Sequence, residues 1–426
     1  MNLLEIHGGK PLHGRITPSG NKNAVLPMIA AALLTDEEVV LENAPGIGDV
    51  RSMLALAEAV GVDIGWDRGQ RLIRLRARDL KSPALPVKLC TELRASILFA
   101  APLLHRFGRA EMAPPGGDVI GRRRLDSHFC GLEALGTEIR EEHVYSFATP
   151  HGLTGARLFL PETSVTATEQ LLMAASVAEG QTVIANAASE PHVQDLCLLL
   201  QQMGARIAGV GSNILTVDGV PRLHGATHRI AADHAEVGSF LAMAAATGGD
   251  ITVTDADAAH YHMVARAFAR LGIEVRCAGN EISIGHEQAR IVNADWGGGI
   301  PVIDDGPWPH FPSDLMSVMI VAATQSTGTV LFFEKMYESR MYFVDRLIAM
   351  GANAVICDPH RVVVNGPSRL HAIELSSPDI RAGMALVAAA LCAKGTSVIR
   401  NVHLIDRGYE GLEAKLAALG AEIVRK

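Results

Sequence analysis

The chain has 426 residues, of which 48% are hydrophobic, and it carries a formal net charge of −8. This length allows a large core and favours two domains over one. The modest acidic balance argues against a general nucleic-acid-binding protein, although local arginine clusters can still hold anions. The longest apolar run, Ala382 to Ala393, is shorter than the roughly 20 residues that span a bilayer, so no membrane contact is predicted.

Helix-like and strand-like patterns alternate along the chain, which favours layered α/β structure over an all-α bundle. Apolar residues at helical spacing predict helices over Asn23–Leu34, Val50–Val60, Leu93–Leu104, Leu125–Leu135, Thr168–Ala178, Val193–Met203, His234–Ala246, Ala259–Leu271, Leu315–Thr324, Tyr342–Met350, Asp379–Ala393 and Tyr409–Leu419. Short strands, each after a turn signal, are predicted at Glu38–Leu41, Thr182–Ala185, Asp250–Val253, Thr329–Phe332 and Thr396–Ile399.

One pattern recurs six times, at steps of roughly 70 residues as expected of an internal repeat. A helix-like run ends in a glycine, and a short apolar strand follows. The glycines are Gly61, Gly136, Gly204, Gly272, Gly351 and Gly420. Each stands where a helix needs a left-handed C-terminal cap. We therefore predict six similar units, three in each domain, with a boundary near Ala231.

Neither the cysteines nor the N-terminus indicates an extracellular protein or a metal site. The cysteines form no Cys-x-x-Cys pair and no zinc-like pattern, so they are interpreted as isolated reduced thiols. The N-terminal residues lack the basic start and apolar stretch of a signal peptide. The sequence therefore predicts a cytoplasmic protein without a bound metal.

Two segments place cations at predicted helix starts, where they oppose the helix dipole. Lys22 and Asn23 lie in the segment 19–27, and an anion near the helix terminus would stabilise the lysine. Three consecutive arginines, at 122–124, precede a predicted helix and follow a loop rich in glycine and proline. Arginine forks suit phosphate and carboxylate groups. An exposed loop lysine and a solvated basic turn are the alternatives.

Two further segments lie in the second half of the chain. Alternating prolines at 307, 309 and 312 precede Asp314, which is either a first-turn helix residue or a rigidly aimed general base. Arg407 again precedes a predicted helix and either binds a substrate anion or forms a surface ion pair.

Taken together, the four segments resemble the enolpyruvyl transferases. The matching stretches are SGNKNAVLP from 19, LRASI from 93, PPGGDVIGRRRLD from 114, FPSD from 311 and HLIDRGYE from 403, in an order that covers essentially the whole chain. The resemblance implies an α/β fold of two inside-out α/β barrel domains built from six βαβαββ-type units. One domain is expected over 22–231, with a lid loop over 114–122, and the other over 1–21 and 232–426, with the active site between them.

The implied reaction transfers the enolpyruvyl group of phosphoenolpyruvate to a hydroxyl of a uridine nucleotide, by addition and then elimination of phosphate, without a metal or organic cofactor. Lys22, Arg123 and Arg407 are expected to hold phosphoenolpyruvate, with Arg94 nearby. Asn23 and Asp314 are expected at the accepting hydroxyl, with Asp314 as the base. The resemblance also implies substrate-binding positions at Arg124, Asp126, Ser164, Val165 and Arg340.

Asp118 departs from the family pattern in the expected lid loop. Most members carry a cysteine there, in a Gly-Gly-Cys setting, whereas this chain has an aspartate. A carboxyl group of raised pKa can still act as a general acid. Because the thiolate that fosfomycin alkylates is missing, we predict resistance to that epoxide.

The nucleotide side departs further. The family's Arg-Pro-Val-Asp-Leu reads Arg-Arg-Leu-Asp-Ser over 123–127, and its Lys-x-Ser-Val-Gly loop reads Glu-Thr-Ser-Val-Thr over 162–166. Leu98 replaces an aromatic residue, and Trp308 stands where histidine is common. The acceptor is therefore either UDP-N-acetylglucosamine, as in peptidoglycan synthesis, or a nucleotide such as UMP, as in nucleoside-antibiotic pathways. An inactive nucleotide-binding paralogue and a shikimate-type transferase are further alternatives, and the oligomeric state is left open.

Overall fold

A computed structural model describes residues 2–117 and 120–426. In this part of the chain the α-helices are α1 (Lys22–Ala31), α2 (Gly48–Ala59), α3 (Val87–Cys90), α4 (Ala100–Phe107), α5 (Asp126–Ala134), α6 (Val165–Ser176), α7 (Pro191–Gln202), α8 (His234–Thr247), α9 (His262–Arg270), α10 (Ser313–Thr324), α11 (Val344–Ala349), α12 (Ile380–Cys392) and α13 (Leu412–Ala418). Short 3₁₀ helices cover Ala32–Leu34, Arg94–Phe99, Ala258–His260 and Val402–Arg407.

The strands alternate with these helices. They are β1 (Leu3–His7), β2 (His13–Ile16), β3 (Glu38–Glu42), β4 (Asp63–Asp67), β5 (Leu72–Arg76), β6 (Arg109–Met112), β7 (Glu138–Glu141), β8 (Tyr145–Ala148), β9 (Arg157–Phe159), β10 (Gln181–Ala185), β11 (Arg206–Ala208), β12 (Ile214–Asp218), β13 (Ala226–Arg229), β14 (Asp250–Val253), β15 (Val275–Ala278), β16 (Glu281–Ile284), β17 (Val302–Asp304), β18 (Gly328–Phe333), β19 (Ala354–Asp358), β20 (Arg361–Gly366), β21 (Glu374–Ser376), β22 (Thr396–Arg400) and β23 (Glu422–Arg425).

The described residues divide into two compact units. Unit 1 comprises 2–19, 120–122 and 232–426, and unit 2 comprises 20–117 and 123–231. Unit 1 contains three four-stranded sheets, with strand orders β21-β22-β1-β23, β2-β14-β16-β15 and β17-β18-β20-β19. Unit 2 contains the sheets β13-β3-β5-β4, β9-β10-β12-β11 and β6-β8-β7.

The sheets repeat one pairing pattern, as expected of repeated units. Each four-stranded sheet has one parallel pair followed by two antiparallel pairs, for example β17 with β18, then β18 with β20, then β20 with β19. In unit 1, β1 from the N-terminal segment lies between β22 and β23 from the C-terminal segment.

Helices form the interior of each unit. In unit 1, α8, α10 and α12 pack on one another, and nearly all of their residues are buried. A helix that is apolar on every side requires such an interior position. In unit 2, α1 and α6 are similarly buried. The predicted α/β fold class is confirmed, and in the described residues the sheets stay separate around buried helices and form no closed barrel of strands. No helix described here is long and apolar enough to cross a membrane.

The six repeat glycines take the predicted conformation. Their φ angles are all positive and lie between 69° and 105°. A side chain is strained in this left-handed region, whereas glycine adopts it freely. The glycines therefore end one helix and redirect the chain into the next strand in every repeat.

Three predicted helices differ from the observed ones in where they begin or in being divided. The range predicted over Leu93–Leu104 splits into a 3₁₀ helix, Arg94–Phe99, followed by α4. The helix predicted from Ala259 begins at His262, because Asp257 instead caps a separate 3₁₀ turn by accepting the N–H of Ala259. The last predicted helix begins at Leu412, after Gly411 at a φ of 57°.

Candidate functional site

Asp314 lies in the first turn of α10 and is bound by two arginines. Its Oδ1 accepts a hydrogen bond from Nη2 of Arg340 at 2.7 Å, and its Oδ2 accepts one from Nη2 of Arg381 at 2.6 Å. The Arg340 and Arg381 side chains are 9% and 7% exposed, whereas the Asp314 side chain is 25% exposed. The carboxylate is therefore the most accessible member of this group, which we call the Asp314 cluster.

The charge of Asp314 is strongly stabilised. Burial by itself would raise the pKa of the Asp314 carboxyl, but the charges and hydrogen bonds of Arg381 and Arg340 outweigh it and hold this pKa well below its usual range. Asp314 is therefore ionised at neutral pH. A carboxylate held in this way is a weak base, and it takes up a proton more readily once an arginine contact is loosened.

Arg381 is a cluster member that the sequence analysis did not single out. Asp379 caps α12 by accepting the N–H groups of Arg381 and Ala382, each at 2.8 Å. Arg381 donates from Nη1 to the hydroxyl of Tyr409 at 2.9 Å, and that hydroxyl also hydrogen-bonds Oγ of Ser239 at 3.0 Å. A cation in the first turn of an otherwise apolar helix opposes the helix dipole, which is the sequence signal that could have identified it.

Lys22 is the first residue of α1, as predicted, and it has an internal partner. Asn21 caps the helix by accepting the N–H of Asn23 at 2.9 Å. Nζ of Lys22 lies 2.8 Å from Oδ2 of Asp49, and the two side chains are 11% and 5% exposed. Asp49 lies in the first turn of α2. The carboxylate of Asp49 therefore offsets the unfavourable position of the lysine at the helix start.

Arg124 is paired within the chain. Its Nε and Nη2 both donate to the carboxylate of Asp126, with 2.5 Å from Nη2 to Oδ1. Arg94 donates from Nη2 to the backbone carbonyl of Arg124 at 2.7 Å. Glu162 also attracts Arg124 electrostatically. Arg124 and Asp126, which were both predicted to bind substrate, thus offset each other's charge.

The start of α6 is tied to a buried histidine. Ser164 caps α6 through its Oγ, and the helix begins at Val165. Thr166 occupies a glycine position of the family, and its Oγ1 lies 3.0 Å from Nε2 of His128. Nδ1 of His128 lies 2.7 Å from Oε1 of Gln170, so Nδ1 carries the proton and donates it. The hydroxyl of Thr166 therefore has a hydrogen-bond partner within the chain.

We expect buried His128 to make the fold sensitive to acid. Burial lowers the pKa of His128 from 6.5 to about 4. The unfolded chain therefore binds the extra proton first, and the contribution of His128 to the free energy of unfolding should fall by about 3 kcal/mol as the pH decreases from 6.5 to 4. We expect His128→Gln to remove most of this slope in denaturant titrations. The exposed control His151→Gln should keep it, and an unchanged slope in His128→Gln would contradict the assignment.

The remaining predicted residues are placed as follows. Asn23 and Arg123 are half-buried in unit 2, and Arg407 is half-buried at the end of a 3₁₀ helix in unit 1. Asp118 lies outside the described residues. Past it, the backbone carbonyl of Ile120 accepts the N–H of Ser339 at 3.1 Å, so the end of the predicted lid loop is anchored in unit 1.

Each unit therefore holds its own set of candidate residues. Asp314, Arg340 and Arg407 lie in unit 1, and unit 2 holds Lys22, Asn23, Arg94, Arg123, Arg124, Asp126, Ser164 and Val165. Asp49, Arg381 and Tyr409 were missed. In the described ranges no three His, Cys, Asp or Glu side chains group as metal ligands would.

Comparison with known proteins identifies a family from the sequence. The family model of EPSP synthase (3-phosphoshikimate 1-carboxyvinyltransferase) matches residues 6–416. An enzyme from Treponema denticola named UDP-N-acetylglucosamine 1-carboxyvinyltransferase is 53% identical over 427 residues and covers 100% of both chains. One of the same name from Bradyrhizobium diazoefficiens is 49% identical, with 99% of this chain and 97% of that one covered.

Two solved structures share the fold. The enolpyruvyl transferase NikO from Streptomyces tendae superposes with a TM-score of 0.87 at 23% identity, covering 99% of this chain and 98% of NikO. EPSP synthase from Acinetobacter baumannii superposes with a TM-score of 0.75 at 18% identity, covering 100% of both chains. At these identities the likeness establishes the fold alone.

Proposed function

This chain belongs to the EPSP synthase family of enolpyruvyl transferases, and from that membership we propose that it transfers the enolpyruvyl group of phosphoenolpyruvate to UDP-N-acetylglucosamine and releases phosphate. One observation carries the choice of acceptor. Enzymes named UDP-N-acetylglucosamine 1-carboxyvinyltransferase are 53%, 52% and 49% identical to this chain over nearly the full length of both partners. The reaction would supply peptidoglycan synthesis.

The Asp314 cluster supports the role of a base at the accepting hydroxyl. Its ionised carboxylate can orient an O–H group by accepting its hydrogen bond. Arg340 and Arg381 hold the carboxylate in one orientation from both sides. An anionic substrate that attracts one of these guanidinium groups would raise the proton affinity of Asp314 at the moment when the hydroxyl must lose its proton.

The cations of unit 2 support binding of phosphoenolpyruvate. Lys22 pairs with the carboxylate of Asp49 and lies at a helix start, where backbone N–H groups also favour anions. We propose that Lys22 and Arg123, with Arg407 of unit 1, bind the phosphate and carboxylate of this substrate. The two compact units would then represent the two transferase domains predicted over 22–231 and over 1–21 with 232–426.

Phosphate release tests the proposal directly. The protein is assayed with phosphoenolpyruvate and, separately, with UDP-N-acetylglucosamine, UMP and 3-phosphoshikimate, and product masses are recorded. We expect turnover with the sugar nucleotide and a product heavier by one enolpyruvyl group. Turnover with UMP alone would assign the chain to nucleoside modification. Nucleotide binding by calorimetry without phosphate release would identify an inactive paralogue.

Glu162 should weaken binding of the diphosphate sugar. It places a negative charge where the family has a lysine, and it attracts Arg124. For Glu162→Lys we expect the KM for UDP-N-acetylglucosamine to fall by roughly threefold to tenfold at low salt, with less change at high salt, because exposed charges are screened. The control Glu142→Lys changes the net charge equally at another exposed position. Equal KM values in the two variants would contradict this role.

A further inference from the structure

Two carboxyl groups outside the proposed reaction lie together at one sheet edge. Asp305 directly follows β17, and Glu334 directly follows β18. These strands are parallel neighbours, with Asp304 opposite Phe333, so their carboxyl ends meet at the same edge. Both acidic residues are 0% exposed.

The hydrogen bonds of this pair leave one oxygen without a donor. Glu334 accepts from Oγ of Ser313 at 2.9 Å and from the N–H of Tyr337 at 3.2 Å. Oδ1 of Asp305 accepts the N–H of Lys335 at 2.5 Å. Oδ2 of Asp305 is buried and has no donor among the described residues. A buried acceptor without a donor is costly, and two ionised carboxylates in contact repel. A proton on the Glu334 carboxyl would supply the missing donor.

The same contacts position the Asp314 cluster. Ser313 directly precedes Asp314, and Pro312 at the N-cap provides no side-chain hydrogen bond to α10. The Glu334 carboxyl therefore takes over the task of fixing the helix start. Its second donor, Tyr337, begins the turn that leads to Arg340, the residue that binds Oδ1 of Asp314. The Glu334 carboxyl thus helps to position both Asp314, through Ser313, and Arg340, through Tyr337.

We propose that Asp305 and Glu334 share one proton and that this protonated pair is a positioning device for Asp314; its effect on turnover rests on the proposed function. Loss of the proton places two negative charges in contact at the edge of the sheet. The repulsion disturbs the hydrogen bond to Ser313, and the first turn of α10 moves with it. Glu334 is a positioning residue in this scheme, because it reaches the substrate only through Asp314.

Burial and the closeness of the two carboxyl groups favour the protonated form of the pair. Burial, and then the hydrogen bond and charge of Asp305, raise the pKa of Glu334 to about 9, while Arg340 and Ser313 act in the opposite direction. The other charged or titratable groups near this edge include the Lys335 side chain, which pairs with Asp304, and His310, which lies 3.7 Å from Asp304. They also include His360, whose Nδ1 hydrogen-bonds the main-chain carbonyl of Glu334, Arg361, which lies opposite Phe333 on β20, and Tyr337, whose N–H donates to Glu334.

The sign of the pH dependence follows from this pKa. A carboxyl whose pKa is higher in the folded than in the unfolded chain stabilises the fold fully at low pH and loses that contribution as the pH rises. For Glu334 the unfolded value is 4.5 and the folded value about 9. The free energy of unfolding should therefore decrease as the pH rises through this interval.

The substitution Asp305→Asn tests the shared proton. The asparagine keeps an oxygen for the N–H of Lys335 and gains an N–H₂ group that can donate to an ionised Glu334, so the pair no longer needs a proton. Wild-type kcat/KM should fall about tenfold per pH unit above pH ~9, as for loss of one essential proton. In Asp305→Asn this decline should move upward by at least one pH unit, with activity at pH 7 within about threefold of wild type.

Two further variants separate positioning from folding. Glu334→Ala removes the acceptor of Ser313 and should lower kcat at pH 7 at least about tenfold. Asp304→Asn, a neighbouring carboxylate whose partner is the Lys335 side chain, should keep the wild-type pH profile. A wild-type alkaline decline in Asp305→Asn would overturn the proposal.

Denaturant titrations at several pH values between 6 and 9.5 measure the free energy of unfolding and test, without any substrate, whether the two carboxyl groups share a proton. Wild type should lose stability as the pH rises, and Asp305→Asn should lose clearly less. If the free energy of unfolding changes equally with pH in wild type and Asp305→Asn, the two carboxyl groups do not share a proton, whether or not the enzyme turns over. Absence of phosphate release with every acceptor would instead overturn the proposed function and leave this measurement valid.

Discussion

Replacing Asp314 by asparagine is expected to lower kcat by roughly 10²- to 10⁴-fold, the usual contribution of a general base. The variant keeps the shape of the side chain but cannot take up the hydroxyl proton. It also leaves the buried guanidinium groups of Arg340 and Arg381 without their counter-charge. Removing one partner of a buried ion pair typically costs about 3 kcal/mol of stability. Both a catalytic and a stability effect are therefore expected.

Phosphate release at saturating substrates measures the first effect, and thermal unfolding measures the second. Asp345→Asn is a matched control, since Asp345 is an exposed carboxylate in the first turn of α11 in the same unit. It should change neither quantity appreciably. If Asp314→Asn loses stability but retains kcat within about threefold, Asp314 is structural and the assignment of the base is wrong.

Replacing Asp118 by cysteine is expected to make the protein sensitive to fosfomycin. A thiolate opens an epoxide readily, whereas a carboxylate is a much weaker nucleophile. The wild-type chain should form no adduct, and the variant should be inactivated at least 10²-fold faster, with one fosfomycin bound per chain. Intact-protein mass spectrometry with and without UDP-N-acetylglucosamine measures the modification.

The natural thiols provide the control for this experiment. Cys130 and Cys357 are exposed in the wild type, so general thiol reactivity would appear there. Peptide mapping should place the adduct of the variant at residue 118 alone. A covalent adduct on the wild-type chain that abolishes turnover would show that resistance does not follow from the aspartate.

Local signals in the sequence predicted the repeated architecture well. A glycine at the end of an apolar helical pattern indicates a residue with positive φ. All six repeat glycines have a positive φ in the structure. Helix starts at Lys22 and Asp126 were also predicted within a residue, because polar residues mark them against apolar runs. Membership of the enolpyruvyl transferases, recognised from short motifs, is confirmed by the match over 6–416.

Partners from distant parts of the chain could not be predicted. Asp49 meets Lys22 only because α1 and α2 pack together. Arg381 reaches Asp314 because α10 and α12 lie side by side, and nothing in the spacing of 67 residues indicates this. Asp305 and Glu334 become a pair only through the register of β17 and β18. Tertiary packing determines these contacts, so the sequence identifies the residues but not the pairs that they form.

The position of β1 has a consequence for biosynthesis. On the ribosome this strand appears before all of unit 2, whereas its neighbours β22 and β23 appear after it. The sheets of unit 2 are complete once β13 has been made, so that unit can fold while translation continues. Unit 1 must instead hold an apolar strand unpaired until β22 and β23 have been made. During that wait, we expect β1 to be the segment most exposed to chaperones and to premature aggregation.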